Sequence, residues 1–269
     1  MNIGIVGQGF VGEAIHQGMH GFFKIETYDK YVTEKSTCGS LEELCKKAEI
    51  LFICLPTPMN EDGSCNLSIV EETVRKIDEV AKGHHVTVIK STVPPGTTET
   101  LNKKYINANV VFNPEFLTEA NYIDDFKNQN RIIIGGDLLH TTRIKNLYEK
   151  VFNNVPIIKT SSTIAEMVKY TANCFLATKV SFANEIKQVC ERIDVDYDKV
   201  IEYATYDNRL GTSHWKVPGP DGKRGFGGSC FPKDINALIY FAKNLDISLG
   251  VLEATWKTNL KVRPEKDWE

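Results

Sequence analysis

Three glycines near the N-terminus, Gly7, Gly9 and Gly12, constrain the fold of this chain more than any other feature. They follow the apolar run "NIGIV" and precede a segment of helical character that begins near Val11. Glycines in this spacing permit a tight turn and let the backbone approach a pyrophosphate, whose charge the N-terminus of a helix favours. A glycine turn in an unrelated α/β fold is the alternative. We expect a Rossmann-like unit that binds a dinucleotide.

An acidic residue indicates which dinucleotide to expect. Asp29 ends the second apolar run, "KIETY", near the position where a carboxylate accepts hydrogen bonds from the ribose of adenosine. A carboxylate there repels a 2′-phosphate, so the sequence favours NAD over NADP. Lys30, the next residue, weakens this preference, because its ammonium group would attract such a phosphate.

Short apolar, β-rich runs alternate with helical segments over the first half of the chain. The later runs are "ILFICL", "VTVIK", "NVVF" and "RIIIGG", and the helical segments include "SLEELCKKA" and "LSIVEETVRKIDEVAK". Unbroken runs of Val, Ile and Leu in such an alternation are typical of a parallel sheet covered by helices on both faces. The sequence predicts the α/β fold class, with a Rossmann-like NAD-binding domain over residues 1–160.

The second half of the chain has a different pattern. Residues 163–193 contain no glycine or proline, and their apolar residues recur at helical spacing. Shorter helices are predicted at "DYDKVIEYA" and from residue 234 to about residue 260, with an irregular glycine- and proline-rich loop at 211–229 between them. We therefore predict a mainly helical second domain over residues 161–269.

The charge of the chain argues against nucleic acid and membrane partners. Its 269 residues carry a formal net charge of −3, and 42% of them are hydrophobic and 25% charged, as in an ordinary globular protein. No apolar run approaches the roughly 18 residues of a membrane helix, and "MNIGIVGQGF" lacks the pattern of a signal peptide. The expected location is the cytoplasm.

The seven cysteines indicate thiols rather than disulfides or a metal site. Their number is odd and no pair has the C-x-x-C spacing, so reduced thiols and no bound metal are expected. Cys54, Cys174 and Cys190 lie in apolar or helical patterns and are interpreted as core residues. Cys230 differs, because it lies in the glycine-rich segment "RGFGGSCFPKD".

A thiol beside a dehydrogenase cofactor suggests a specific chemistry. An alcohol that is oxidised once becomes an aldehyde, which the thiolate of Cys230 can trap as a hemithioacetal; a second oxidation gives a thioester, and water releases an acid. Glycines let a substrate approach the sulfur, Lys233 would stabilise the thiolate, and Asp234 would transfer a proton. A loop cysteine without function is the alternative.

Seven segments resemble one enzyme family. "GFGGSCFPKD" is similar to the active-site segment of the UDP-glucose 6-dehydrogenase family, the NAD-dependent enzymes that make nucleotide-sugar uronic acids. Six other segments match the family in order along the chain: "IGIVGQGFVG", "LPTP", "KSTVPPGT", "NPEFLTEA", "AEMVKYTANCFLA" and "DNRLG". The resemblance covers nearly the whole chain.

The resemblance implies which residues act as nucleophile, as oxyanion donors and in proton transfer. Cys230 would hold the hemithioacetal and the thioester, while Lys169 stabilises the oxyanion with the help of Asn173, four residues further along a helix. Asp234 and Thr92 would handle a proton through an ordered water.

Three further sets of residues follow from the same resemblance. Glu119 would act in acid–base steps, chiefly the hydrolysis of the thioester. The sugar pocket would be lined by Phe116, Leu117 and Gly227, with Arg209 near the diphosphate, in the family often from a neighbouring subunit. The implied NAD-binding residues are Gly7, Gly9, Phe10, Val11, Gly12, Asp29, Lys30, Pro56, Thr57, Thr92 and Lys233.

The chain also departs from the family pattern. Family members usually continue into a second α/β domain that helps bind the nucleotide, so the chain is expected to be a short form in which the polar end "RPEKDWE" is a frayed tail. Thr118 and Ala120 stand where arginine and glycine are common. The loop at 212–225 is longer than usual, and its Lys223 and Arg224 are hypothesised to contact phosphate or base.

The sequence thus predicts a homodimeric enzyme that oxidises the 6-hydroxyl of UDP-glucose to a carboxylate with two NAD. Three alternatives stay open. The substrate is instead a UDP-N-acetyl-hexosamine or GDP-mannose; the enzyme performs a single oxidation of the hydroxyacid type, which needs no cysteine; or the chain binds NAD or a nucleotide sugar without catalysis.

Overall fold

The structure is a computed structural model that describes residues 1–81 and 83–268. The chain forms two compact units. The first comprises Met1–Thr57 and Asn66–Lys169, and the second comprises Pro58–Cys65 and the chain from Tyr170 onward. The division expected at residue 160 differs in two places: the first turns of a long helix belong to the first unit, and a short excursion at Pro58–Cys65 belongs to the second.

A seven-stranded sheet organises the first unit. The strand order is β2-β1-β3-β4-β5-β6-β7, and every neighbouring pair is parallel except β5 and β6, which are antiparallel. This confirms the α/β, Rossmann-like fold class and corrects the expectation of a purely parallel sheet. The strands are β1 (Asn2–Val6), β2 (Lys24–Tyr28), β3 (Ile50–Ile53), β4 (Val86–Ile89), β5 (Val110–Phe112), β6 (Ile132–Gly135) and β7 (Ile157–Thr160).

Among the described residues, six α-helices lie wholly within this unit, one after each of β1 to β6. Two of them begin with a side-chain cap: Ser40 Oγ accepts a hydrogen bond from Glu43 N (3.1 Å) at the start of α2, and Asp137 Oδ1 accepts one from Leu139 N (2.8 Å) at the start of α6. The helices are α1 (Phe10–Met19), α2 (Leu41–Lys47), α3 (Ser68–Ala81), α4 (Thr97–Lys104), α5 (Tyr122–Lys127) and α6 (Leu138–Tyr148).

Alternation along the central strands divides the core of the first unit between the two faces of the sheet. In β1, Ile3 and Ile5 pack in one apolar cluster with Ile15 of α1, while Val6 packs in another with Leu44 of α2. Successive side chains of a strand point to opposite faces. Both faces are therefore apolar, which explains the unbroken Val, Ile and Leu runs.

The second unit is helical, as the sequence predicts. Its long helix is α7 (Ser162–Arg192), and the division between the units falls within it; α8 (Tyr197–Ala204), α9 (Phe231–Lys243) and α10 (Gly250–Val262) follow. The segment expected to be helical from residue 234 to about 260 starts earlier and is interrupted. The interruption includes Asp246, whose φ of 58° leaves the helical region.

The structure bears on three features: the state of the cysteines, metal sites and membrane-spanning helices. All seven cysteines are thiols. In residues 1–81 and 83–268, no group of three or more His, Cys, Asp or Glu side chains is arranged to hold a metal ion. Over the same residues, no helix combines the length and the apolar character that crossing a bilayer requires.

Candidate functional site

The glycine turn connects β1 to α1, and its three glycines are required for different reasons. Gly7 has a φ of +92°, and a Cβ there would lie 2.4 Å from the carbonyl oxygen of Cys54. A Cβ on Gly12 would lie 2.0 Å from the carbonyl oxygen of Gly7. A Cβ on Gly9 would meet nothing within 4 Å. The fold therefore requires Gly7 and Gly12, whereas the space beside Gly9 is open for a ligand.

The carboxylate of Asp29 joins the end of β2 to the glycine turn. Its Oδ2 accepts a hydrogen bond from Gln8 N (2.7 Å), and its Oδ1 accepts from Tyr31 N (2.8 Å) and Val32 N (2.9 Å). Partial burial acts to raise the pKa of Asp29, but these backbone N–H groups outweigh it and the pKa is lowered. Asp29 is thus a fixed negative charge beside the turn.

A cavity of about 270 Å³ lies against Asp29. Exposed Lys30 is at its edge. The open Gly9, the N-terminus of α1 and a carboxylate next to a cavity fit a dinucleotide with an unphosphorylated adenosine ribose. The cavity is lined by Tyr28, Asp29, Lys30, Thr33, Ser36, Thr37, Cys38 and Gly39.

The loops that follow β3 and β4 are bonded to each other. Ser91 Oγ accepts a hydrogen bond from Leu55 N (3.0 Å) and donates to Leu55 O (2.6 Å), and Thr57 Oγ1 donates to Thr92 O (2.9 Å). Pro56 is exposed, whereas Thr57 and Thr92 are buried. The predicted cofactor residues Pro56 and Thr57 therefore lie in a loop that is bonded to the predicted catalytic Thr92. Both loops lie at the carboxyl ends of neighbouring strands.

Lys169 forms a buried ion pair with Glu115. Its Nζ donates to Glu115 Oε1 (2.9 Å) and to the Glu115 carbonyl oxygen (2.7 Å), and the two side chains are 4% and 9% exposed. Burial acts to raise the pKa of Glu115, but the Lys169 ammonium outweighs it, so the pKa is lowered. Glu115 is a residue that the sequence analysis did not single out, although it lies within the segment "NPEFLTEA".

A second buried lysine lies beneath the same segment. Lys90 Nζ donates to Asn113 Oδ1 (2.9 Å) and to Pro114 O (3.4 Å). Asn113 Oδ1 also accepts from Tyr148 OH (2.6 Å), and Asn113 Nδ2 donates to Ile133 O (2.7 Å). Burial lowers the pKa of Lys90 to about 8. This network fixes the turn that presents Glu115.

After Glu115, the segment "NPEFLTEA" places the ring of Phe116 near Lys169, whereas Glu119 faces solvent. The ring of Phe116 lies 5.5 Å from Lys169 Nζ and 4.0 Å from the guanidinium of Arg131, both measured to its centroid. Leu117 N donates to Glu115 Oε2 (2.7 Å). Glu119, the predicted acid–base residue, is exposed. The carboxylate that the structure places on Lys169 is therefore Glu115.

In the second unit, the start of α9 gathers four of the predicted residues. Cys230 is the N-cap of α9, and its carbonyl oxygen accepts from Asp234 N (2.9 Å). The buried Asp234 carboxylate accepts from Asn173 Nδ2 (2.6 Å) and pairs with Lys233. Burial acts to lower the pKa of Lys233, but Asp234 outweighs it and the pKa is raised.

Two predicted substrate residues have partners within the second unit. Arg209 is exposed, and its guanidinium forms a two-pronged pair with the carboxylate of Asp207. Gly227 packs against Arg263 of the C-terminal segment. Arg263 is 2% exposed and pairs with Asp267, and the ring of Trp268 contacts that of Trp256. The expectation of a frayed tail is therefore wrong for residues 263–268, and Glu269 lies outside the described residues. Of the loop cations hypothesised to contact a ligand, Lys223 pairs with Asp267 and Arg224 with Glu191.

Comparison with known proteins supports one family for both units. Residues 26–154 match the NAD binding domain of the UDP-glucose/GDP-mannose dehydrogenase family, and residues 163–261 match its central domain. The chain superposes on a UDP-glucose dehydrogenase from Pyrobaculum islandicum with a TM-score of 0.88 and 32% identity, covering 97% of this chain and 68% of the other. The chain belongs to the UDP-glucose/GDP-mannose dehydrogenase family.

Two further relatives define how far the family assignment reaches. UDP-glucose 6-dehydrogenase TuaD of Bacillus subtilis is 39% identical over 225 residues, which cover 81% of this chain and 48% of TuaD. The chain thus spans about half the length of the curated relatives it matches. A Mycobacterium tuberculosis 3-hydroxyisobutyrate dehydrogenase superposes with a TM-score of 0.79 at 15% identity, over 99% of this chain and 94% of the other, which shows a shared fold alone.

Within the family, the first unit is the NAD-binding domain, and NAD is its cofactor. The cofactor turn, Asp29 and the adjacent cavity are the features of this chain that fit it. Glu115 and Lys90 are the site residues that motif reading missed. Their signal is spatial, because a buried ammonium group requires a carboxylate or carbonyl partner that only the folded sheet brings near.

Proposed function

We propose that the chain catalyses the oxidation of the sugar 6-hydroxyl of UDP-glucose to a carboxylate and consumes two NAD per product. The observation that carries the proposal is the group at the start of α9, where the Cys230 thiol lies one turn from an Asp234 carboxylate held by Asn173 and Lys233. A single oxidation has no use for such a thiol, whereas an aldehyde intermediate does.

NAD, which the glycine turn and Asp29 would hold, would supply the hydride acceptor for both oxidations. After the first oxidation, the Cys230 thiolate adds to the aldehyde carbon, and the oxygen takes up a proton to give a hemithioacetal, which it loses again in the second oxidation. Loss of the second hydride from that carbon gives a thioester, which water cleaves to the carboxylate and the thiolate. Cys230 therefore keeps the intermediate bound to the protein until the acid is formed.

The other residues hold charge and protons during these steps. Lys169 and Asn173 supply N–H donors, which stabilise the oxyanion that develops at the sugar carbon. Asp234 and Thr92 handle a proton through an ordered water, and Glu119 acts in acid–base steps, chiefly the hydrolysis of the thioester. For Glu115 we propose a different role: its carboxylate and its carbonyl oxygen both accept from Lys169 Nζ and hold the ammonium group in place.

Substrate contacts are proposed for four further residues. Phe116 and Leu117 line the sugar with backbone groups, Gly227 lies beside it, and Arg209 pairs with the diphosphate after leaving Asp207. The exposed position of Arg209 supports its use by a ligand. UDP-N-acetyl-hexosamines and GDP-mannose fit the same chemistry, because the reacting carbon is the same.

A homodimer in the cytoplasm completes the proposal. On α7, Phe175, Phe182 and Val189 recur at intervals of seven residues and are 66%, 49% and 55% exposed. An apolar stripe of this kind along a helix is typical of a surface that packs against another helix. A second copy of the same chain supplies that helix.

The experiment that tests the reaction is the yield of NADH from limiting UDP-glucose with excess NAD, run to completion. Wild type and Cys190→Ser, which alters a thiol buried in a separate core cluster, are expected to form two NADH per sugar. Cys230→Ser is expected to stall or to slow severely, because the aldehyde has no nucleophile.

The other outcomes assign different functions. One NADH per sugar in all three proteins overturns the double oxidation and supports a single-step dehydrogenase. The absence of NADH, with NAD binding intact by calorimetry, directs the same assay to UDP-N-acetyl-hexosamines and GDP-mannose. Failure with all of these substrates supports a binder without catalysis.

A further inference from the structure

The glycine-rich segment before Cys230 is held by three buried side chains of the second unit, which we call the loop clamp: Asn184 of α7, and Asn259 and Arg263 at the end of α10. Asn184 and Asn259 are 1% and 0% exposed, and Arg263 is 2% exposed. Buried polar groups of this kind require hydrogen-bond partners. Their partners are the backbone and acidic groups of the loop and its neighbours.

The two asparagines bond the backbone of the loop directly. Asn259 Oδ1 accepts from Phe226 N (2.8 Å), and Asn259 Nδ2 donates to Phe226 O (2.9 Å). Asn184 Oδ1 accepts from Gly225 N (3.2 Å). The side-chain amide of Asn259 therefore takes the place of a neighbouring strand for one residue of the loop.

Arg263 fixes the preceding part of the loop, residues 221–224, through a charge network. Its Nε and Nη2 donate to the two oxygens of Asp267 (2.9 and 2.5 Å), Nη2 also donates to Asp221 Oδ2 (2.6 Å), and Nη1 donates to Arg224 O (3.3 Å). Lys223 Nζ is 3.1 Å from Asp267 Oδ2. Two cations and two carboxylates balance, so the guanidinium is buried without net charge.

The glycines of the loop match the clamp. A Cβ on Gly225 would lie 2.4 Å from Asn259 Oδ1, and a Cβ on Gly227 would lie 2.3 Å from Arg263 Nη2. A Cβ on Gly228 would meet nothing within 4 Å. Gly225 and Gly227 are thus required by contact with the clamp, which adds to the earlier explanation that glycines there admit a substrate.

We propose that Asn259 and Arg263 are positioning residues that fix the sulfur of Cys230 through this loop, an inference that rests on the proposed role of Cys230 as nucleophile. Only Gly228 and Ser229 separate Gly227 from Cys230. Because Gly225 and Phe226 are hydrogen-bonded to the clamp and Gly227 packs against it, the sulfur of Cys230 can occupy only a few positions. Reaction rates fall steeply when reacting atoms are misplaced, so the clamp should affect the rate.

The test compares Arg263→Lys with Glu265→Ala. Lysine keeps the charge of Arg263 and loses its planar fork, whereas Glu265→Ala removes an exposed charge two residues further along the same segment. For Arg263→Lys we expect kcat for NADH formation to fall roughly tenfold or more with an unchanged KM for NAD. Glu265→Ala is expected to behave as wild type.

A second measurement separates positioning from general loss of stability. Alkylation by iodoacetamide, read by mass spectrometry of each cysteine peptide, is expected to be about threefold or more faster at Cys230 in Arg263→Lys and unchanged at Cys174, a buried cysteine of α7. Equal acceleration at both thiols would mean a merely structural role and would overturn the proposal. This readout does not depend on catalysis by Cys230.

If Arg263→Lys does not fold, Asp221→Ala decides the question. It removes one carboxylate from Arg263 and leaves the two bonds to Asp267, so a smaller effect in the same direction is expected. Wild-type kcat and a wild-type alkylation rate at Cys230 in a folded variant overturn the proposal. Two NADH per sugar from Cys230→Ser would instead overturn the proposed function, while the alkylation data would still report on the clamp.

Discussion

At the scale of single residues, the three glycines of the cofactor turn are present for separable reasons. Gly12 is required by the fold, because any side chain there would collide with the carbonyl of Gly7. Gly9 has an extended conformation, with φ of −72°, and open space where a side chain would be. Its lack of a side chain therefore serves the ligand and not the turn.

Substitutions at these two glycines should separate folding from cofactor binding. Gly9→Ala is expected to unfold within about 2 °C of wild type and to bind NAD at least roughly tenfold more weakly, because the methyl group occupies the path of the pyrophosphate. Gly12→Ala is expected to lose about 2 kcal/mol or more of stability through its backbone clash. Thermal unfolding and calorimetric titration with NAD measure both; wild-type affinity in Gly9→Ala would contradict the assignment.

The buried Lys90 gives the stability of the protein a defined pH dependence. Its pKa is about 8 in the folded chain and 10.5 when unperturbed. Between these values the unfolded chain holds a proton that the folded chain has released, so stability increases as pH rises through this window. The destabilising effect of the buried charge is fully present below pH 8.

Lys90→Met removes this titration. The free energy of unfolding of wild type minus that of the variant is expected to increase by on the order of 1–3 kcal/mol between pH 8 and pH 10. Urea unfolding at pH 7, 8, 9 and 10 measures the difference. A difference that stays constant across the four pH values would show that Lys90 is charged throughout or titrates elsewhere.

Sequence motifs predict some of the site residues, and only the structure reveals the others. Cys230, Asn173 and Asp234 lie in segments with a recognisable order, and the structure places all three together in the second unit. Glu115 was missed because its partner is 54 residues further along the chain. A long-range ion pair leaves no periodic signal in one sequence.

At the scale of elements, α4 and the start of α7 are joined by a buried carboxylate. Glu166 accepts from Gly96 N (2.6 Å), Thr98 N (2.9 Å) and Thr98 Oγ1 (2.6 Å), at the N-terminus of α4. Burial raises the pKa of Glu166, although these bonds oppose the shift. The carboxylate thus supplies the cap that Gly96, the N-cap residue, lacks.

Removal of this cap should be costly. Glu166→Ala removes the acceptor of the buried N–H and hydroxyl of Thr98 and of the partly buried N–H of Gly96, and about 2–4 kcal/mol of stability should be lost. Glu99→Ala is the matched control, because Glu99 also joins α4 to α7, through Thr163 Oγ1 (2.9 Å), but is exposed. The control should change stability by less than about 0.5 kcal/mol. Similar losses in both variants, measured by urea unfolding, would refute the capping role.

The sequence predicted the elements whose pattern is strong and missed those set by distant packing. β1 to β6 and α7 carry long apolar or helical patterns. β7 (Ile157–Thr160) is short and partly exposed, so its sequence lacks the signal of a buried strand. The antiparallel pairing of β5 with β6 rests on one residue pair, Phe112 with Gly135, which the order of elements does not specify.

At the scale of the whole molecule, the second unit presents an apolar surface that its own helices leave exposed. Phe175, Phe182 and Val189 form the stripe on α7, and Ile193, four residues further on, is 63% exposed. Exposed apolar side chains scattered singly need no explanation, but a row at helical spacing indicates an interface. A second copy of the chain is the proposed partner.

Charge placed in this stripe should therefore dissociate the assembly. Wild type is expected to have twice the mass of one chain by light scattering at micromolar concentration. Phe175→Lys combined with Val189→Lys should give the mass of one chain, because the two cations would be buried against an apolar surface without partners. Ile106→Lys is the control, since Ile106 is 75% exposed on the first unit and lies outside the stripe. A dimeric mass for the double variant would locate the interface elsewhere, and a monomeric wild type would exclude the homodimer.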